Sequence, residues 1–142
     1  MVIVKKTFSQ LTVDELYEII KLRTEIFVVE QKSIYQDLDD IDKVATHYYL
    51  KNENDQIISY ARFIPKGYKY QTASIGRVVT KKEARKKGIS KQLLTYVIEN
   101  HLEPITISAQ VQAQSFYEKL GFSPTNETYL EDGIPHLKMI KN

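Results

Sequence analysis

The chain has 142 residues, 42% hydrophobic and 27% charged, the balance of one ordinary globular domain spanning 1–142. Cysteine is absent, which excludes disulfides, a thiol nucleophile and cysteine-ligated zinc, and the three histidines lie far apart in sequence, so no metal is expected. Twenty basic against eighteen acidic residues leave a net charge of +2, too little for a general nucleic-acid-binding surface.

No apolar run approaches the roughly 20 residues that span a bilayer. The opening Met1-Val-Ile-Val-Lys-Lys6 is too short for a signal peptide and carries its charges on the wrong side, so a cytoplasmic chain with no membrane partner is expected. Residues 2–8 are short and β-branched, a first strand. Thr12 and Glu15 have capping-box spacing, and an amphipathic helix is predicted from there to about Glu30. Its apolar stripe is Leu16, Ile19, Ile20, Ile26 and Phe27, and it continues through Arg23 and Glu30. A buried charge must be partnered. The acids downstream, Asp37, Asp39, Asp40 and Asp42, can pair with Arg23 or line a site for a cationic amine.

Residues 47–51 and 56–64 alternate as a hairpin around Asn52-Glu-Asn-Asp55. A connection at 65–70 leads to a strand over 72–80, a basic loop over 81–88 and a helix from about Ile89 to Asn100. Then come a short buried strand at 105–109, a helix through Ala113, Phe116, Tyr117 and Leu120, and final strands at Phe122 and 134–140. The order β-α-loop-β-β-β-α-β-α-β-β predicts a mixed α/β sheet with helices on both faces.

The most informative stretch is Arg85-Lys-Lys-Gly-Ile-Ser90 at the start of a helix. A strand feeding a helix through Gly88 and the small Ser90 leaves backbone N–H groups unpaired at the positive end of the helix dipole. That arrangement suits a pyrophosphate. Six of the twenty basic residues fall between Lys81 and Lys91, with Glu83 the one acid. On composition alone a solvated basic loop fits equally well, and the spacing is neither a P-loop nor a dinucleotide glycine pattern.

Arg85, Gly88 and Ser90 resemble the Arg/Gln-x-x-Gly-x-Gly/Ala loop of the GCN5-related N-acetyltransferase (GNAT) superfamily, with serine departing from glycine or alanine. Ala113-Gln-Ser-Phe-Tyr117-Glu-Lys-Leu-Gly-Phe122 is similar to the superfamily's Ala-x-x-Phe-Tyr-x-x-x-Gly-Phe, and Gln110 stands where many members carry asparagine. Arg23–Gln31, Tyr35–Asp39 and Glu131–His136 resemble its ElaA-like branch. The resemblance implies the GNAT-like acyl-CoA N-acyltransferase fold, with the strand at 78–80 splayed from that at 105–109. It also implies acetyl-CoA as co-substrate and acetyl transfer by direct attack of an amine, small molecule or peptide, with a homodimer as one assembly. The cofactor would meet Val78, Val79, Thr80, Arg85, Lys86, Lys87, Gly88, Ile89, Ser90, Gln110 and Phe116, and a β-bulge would aim a free N–H at the thioester oxygen.

Tyr117 is the expected general acid, because a phenol can hand a proton to a leaving thiolate. The base stays open among Glu30, Asp37, His47 and His136. With Asp132, these are also the candidates for the acceptor side, where the turn at Gly133-Ile-Pro135 is expected to face the 35–39 segment. Two other readings share these residues. One is a non-catalytic acyl-CoA-sensing module. The other is an acyl-homoserine-lactone-synthase-like acyltransferase, echoed by Arg23 and Phe27 but lacking the tryptophans of those enzymes.

Overall fold

The computed structural model describes all 142 residues. Its elements are β1 (Val2–Thr7), α1 (Val13–Arg23), β2 (Thr46–Lys51), β3 (Ile57–Ile64), β4 (Ala73–Thr80), α2 (Ile89–Glu99), β5 (Ile105–Gln110), α3 (Gln114–Lys119), β6 (Ser123–Glu131) and β7 (Ile134–Lys141). They form one mixed sheet in the order β1-β2-β3-β4-β5-β7-β6, antiparallel everywhere except between β4 and β5. No helix is long and apolar enough to cross a membrane.

Period-2 alternation sorts the sheet's side chains into two cores. Ile19, Leu22 and Ile26 pack on Tyr49, Ile57, Tyr60 and Val79 of one face. On the other, Leu93, Leu94 and Val97 of α2 meet Tyr48, Ala61, Phe63, Ile75, Ile107, Leu137 and Met139. Each such burial is worth about 1.5–3 kcal/mol. Helices therefore cover both faces, as the element order predicts.

The capping box forms as spaced: the Glu15 N–H donates to Thr12 Oγ1 at 3.1 Å, and the Thr12 N–H donates to Glu15 Oε1 at 2.9 Å. Glu15 also accepts from Lys6 Nζ at 2.8 Å and from the Tyr49 hydroxyl at 2.5 Å, tying α1 to β1 and β2. Burial opposes its charge, yet these donors hold its carboxyl down at about 2. The helix departs from expectation after Arg23, because Thr24–Glu30 winds as a π-helix. Gln31 and Ser33 donate to the carbonyls of Ile26 and Val28, both at 3.1 Å. A π turn holds more residues than an α turn, so positions that share one face of an α-helix drift apart. Arg23 stays 1% exposed, whereas Glu30 leaves the buried stripe and turns to the surface.

The central strand pair is splayed. β4 and β5 pair only at Ala73↔Ile105 and Ser74↔Thr106 and then part. Just beyond, between Tyr60↔Val79 and Arg62↔Gly76, two residues of β4 (Arg77 and Val78) stand opposite one of β3 (Ala61). That count is a β-bulge, which increases local twist and turns the end of β4 away from β5. Arg77 sits at φ +51°, a left-handed conformation costing a non-glycine residue roughly 1–2 kcal/mol.

The titrating groups predict a two-step acid response. Burial, opposed by a hydrogen bond to the Asp42 carbonyl, holds His47 below its ordinary 6.5, so the unfolded chain takes up a proton there before the fold does. Stability should fall as pH drops below 6.5, with half-buried His101, also held below its ordinary value, adding to this step. A second, steeper fall is expected below about 4, because Glu15 and Asp39 stay ionised to about 2 in the fold. Urea midpoints at constant ionic strength check this, and a flat profile between about pH 7 and 5 would contradict the first step.

Candidate active site

Where β4 and β5 part, a cavity of about 420 Å³ opens through the sheet. Its walls come from the π-helical segment, the 33–35 loop, β4, the start of α2, β5, α3 and the β6–β7 turn.

At one end, the turn into α2 places Lys86 at φ +64° and Gly88 at φ +73°. None of the backbone N–H groups from Lys86 to Lys91 finds an acceptor within the chain, and no side chain caps the helix. A Cβ built on Gly88 meets nothing within 4 Å, so the approach to these amides is open. Ile89, buried with Leu50, Ile58 and Ala84, anchors the turn from below. Arg85 behaves differently from a free cradle residue. It forks onto Glu30 at 2.7 and 2.9 Å while its Nε donates to the Thr80 carbonyl at 3.0 Å. The Arg85 hydrogen bonds hold the Glu30 carboxyl below its usual range. Thr80 Oγ1 hydrogen-bonds Ser90 Oγ and lies 2.9 Å from Ser59 Oγ, tying the β4 end to the helix start.

The Lys81 N–H donates to the Ile58 carbonyl at 2.8 Å, so Lys81 faces β3. Alternation then directs the backbone of Val79 toward β3 and that of Val78 and Thr80 toward the gap. Across the gap, Tyr117 of α3 reaches the cavity with its ring edge-on to Phe116 at 5.2 Å and to Phe122 at 5.9 Å. Burial alone pushes its hydroxyl up to about 12.

The other end rests on a charge cluster. Arg23 bonds Asp37 at 2.8 Å and Asp42 at 2.7 Å; Arg62 bonds Asp42 at 3.0 Å and Asp39 at 2.6 Å; Arg77 pairs with Asp37 at 2.8 Å and Asp39 at 3.3 Å. Tyr35 donates its hydroxyl to Asp37 at 2.9 Å. At the rim, His136 Nδ1 lies 2.7 Å from the Ile134 carbonyl, and its Nε2 lies 3.4 Å from Glu131 Oε2.

Of the residues singled out from sequence, Val78, Val79, Thr80, Arg85, Ser90, Gln110, Tyr117, Glu30, Asp132 and His136 line this cavity. Tyr35 and Asp132 bring the 33–35 loop and the Gly133 turn to the same opening. Lys86, Lys87 and Gly88 lie exposed on the turn beside the cavity, Ile89 packs beneath it, and Phe116 supports Tyr117 from behind. Two candidates are elsewhere. Asp37 is locked between Arg23 and Arg77, and His47 is 1% exposed, bonded to the Tyr60 hydroxyl at 2.6 Å and the Asp42 carbonyl at 2.8 Å. Ion pairing satisfies the first and hydrogen bonding the second. Sequence reasoning passed over Arg62 and Arg77, although a charge inside a mostly apolar strand and a glycine beside another were the available signals.

A splayed β4–β5 pair with an open helix start on one side and a tyrosine on the other defines an acyl-CoA N-acyltransferase fold. The comparisons with known proteins agree. Residues 5–142 match the family described as acetyltransferase (GNAT) domain. A UPF0039 protein of Schizosaccharomyces pombe is 42% identical, over 96% of this chain and 93% of its own. An acyl-CoA N-acyltransferase from Pseudomonas aeruginosa superposes with a TM-score of 0.92 at 34% identity over the whole of both chains. Escherichia coli ElaA superposes with a TM-score of 0.91, also at 34% identity over the whole of both chains. The chain belongs to the GNAT acetyltransferase family, in its ElaA-like branch.

Removing one member of the charge cluster strands the others in a dry environment. Asp42→Asn, which weakens two arginine contacts at once, is expected to cost about 3 kcal/mol in urea unfolding. Lys43→Gln, one residue away on an exposed pair, should stay within about 0.5 kcal/mol.

Proposed function

We propose that the chain is an acetyl-CoA-dependent N-acetyltransferase that transfers the acetyl group directly to an amine, with Tyr117 as general acid. The observation that carries this reading is the gap between β4 and β5, with unpaired amides at one end and Tyr117 in its wall. Acetyl-CoA supplies a thioester whose carbonyl carbon accepts the amine and whose thiolate departs. The chain's own groups have four tasks.

The amides of Lys86–Lys91, with the α2 dipole and the neighbouring lysines, hold a pyrophosphate. The gap-facing backbone of Val78 and the Thr80 N–H take the pantetheine arm as an added strand; the Thr80 carbonyl is already given to Arg85. The Val78 N–H, in a bulge that has no partner residue on β3, donates to the carbonyl oxygen as charge develops there. The Tyr117 hydroxyl, kept protonated by its buried ring environment, gives its proton to the sulfur.

Acetyl-CoA should therefore raise the melting temperature of the protein. Gly88→Glu, which sets a carboxylate among the amides, should abolish that rise. Gly88→Ala, whose Cβ meets nothing within 4 Å, should keep most of it after a backbone penalty of about 1 kcal/mol. An undiminished shift in Gly88→Glu would remove the turn from the cofactor site.

Tyr117→Phe keeps the ring between Phe116 and Phe122 and removes only the proton. Turnover should fall by about ten- to a thousandfold with the melting temperature unchanged, read as thiol release from acetyl-CoA.

A further inference from the structure

We propose that Glu131 and His136 form the ammonium-binding end of the cavity and that His136 Nε2 is the catalytic base; the proposal rests on the acetyltransferase reading above. Of the four bases the sequence left open, three are already occupied. Glu30 is forked by Arg85, Asp37 is neutralised by Arg23 and Arg77, and His47 uses both ring nitrogens in the interior. His136 is 7% exposed, lines the cavity and keeps one nitrogen free.

Its tautomer follows from its partner. The Ile134 carbonyl, 2.7 Å from Nδ1, can only accept, so Nδ1 carries the hydrogen and the lone pair of the neutral ring sits on Nε2. That lone pair lies 3.4 Å from Glu131 Oε2. Two acceptors side by side with no donor between them are an incomplete pair. A primary alkylammonium completes it, giving one N–H to the carboxylate and one to the imidazole.

The pair is held in place on three sides. Glu131 and Ile134 face each other across the two-residue turn Asp132-Gly133, both left-handed at φ +51° and +77°. Ser108 Oγ donates to Glu131 Oε1 at 3.4 Å and itself accepts from the Tyr129 hydroxyl at 2.5 Å. The Tyr129 ring stacks on His136 with centroids 6.3 Å apart and planes 15° apart.

His136 also sits on the required side. Leu137 and Met139 belong to the α2-face core against which Tyr117 packs, so their neighbour His136 points to the opposite face. Base and acid thus approach the gap from opposite faces of the sheet. The ammonium gives its first proton to Nε2, which passes it to water. The nitrogen lone pair then forms the C–N bond to the acetyl carbon, and the second proton passes from nitrogen to water as the C–S bond breaks. Tyr117 protonates the departing sulfur and is reprotonated by solvent. One ammonium and one thioester yield an amide, a thiol and one released proton.

The test compares His136→Gln with the intact chain on two kinds of acceptor. One is a panel of primary alkylamines, protonated at neutral pH; the other is hydroxylamine, which is not. Thiol release from acetyl-CoA is read above the uncatalysed blank, with the acetyl-CoA thermal shift as a folding and binding control. His136→Gln should lose about a hundredfold or more in kcat/KM on the alkylamine best used, and less than about threefold on hydroxylamine. The charged or titratable groups around the ring are Glu131 and Tyr129 from β6, Lys138 from β7, and Asp132 and Lys69 on the same cavity, and none of them is altered in this variant. Glu131→Gln should instead raise KM for the alkylamine and leave the hydroxylamine rate in place.

Equal losses on both acceptors, or none, overturn His136 as the base while the acetyltransferase reading stands. An intact chain that neither shifts with acetyl-CoA nor releases thiol with any amine overturns that reading and this proposal together.

Discussion

Six charges beneath the cavity, four buried and two half-buried, hold the rest of the site in place. Arg23 belongs to α1, Asp37, Asp39 and Asp42 to the long loop that follows it, Arg62 to the middle of β3 and Arg77 to the bulge of β4. Three guanidiniums and three carboxylates balance, and every carboxylate touches two arginines. Such a cluster is a poor source of net stability, because desolvating six ions offsets most of their attraction. Its strength is geometric, since guanidinium forks accept few arrangements of their partners. The loop at 31–45 has little regular structure of its own, and the arginines fix its path over the sheet.

The same cluster accounts for the strained backbone of β4. Arg77 adopts a left-handed conformation that a β-strand does not provide, and its side chain is held by Asp37 and Asp39 and lies over the Tyr35 ring at 5.7 Å. These contacts fix the guanidinium in one place, and the backbone of Arg77 carries roughly 1–2 kcal/mol of strain to meet them. With Arg77 so fixed, β4 bulges, twists and leaves β5 after two paired residues. The cavity opens where the bulge, the ion pairs of Arg77 and the end of β4–β5 pairing coincide.

Periodicity makes the element order legible, from the capping box at Thr12 to the hairpin around residues 52–55, because each of those signals is local. The α2 turn is legible for the same reason, since Gly88 and the flanking lysines act within a few residues. What escaped is non-local. Nothing within Thr24–Glu30 announces π winding, and the error moved Glu30 from the buried stripe to the surface. Asp37 and His47 have the chemistry of a base, but their partners lie 14 and 13 residues away along the chain, at Arg23 and Tyr60. Glu131 and His136 could be noticed as a short motif, yet the free lone pair on His136 depends on a backbone carbonyl two residues back that composition does not reveal.

Strand parity explains how one sheet presents Tyr117 and His136 to the gap from opposite faces. On β7, Leu137 and Met139 serve the α2-face core while His136 lies on the other face, and on β5 Ile107 and Ala109 do the same around Ser108. In register these strands place Ser108 and His136 on one surface. Tyr117 reaches the gap from the other surface, because α3 returns to the α2 side and seats Phe116 and Tyr117 against that core. A shift of one residue in β7 would exchange His136 with Leu137, burying an imidazole in the core and exposing a leucine at the rim. The hydrophobic pattern that folds the strand therefore also sets the side from which His136 meets the gap. Core packing and site geometry are written in the same alternation.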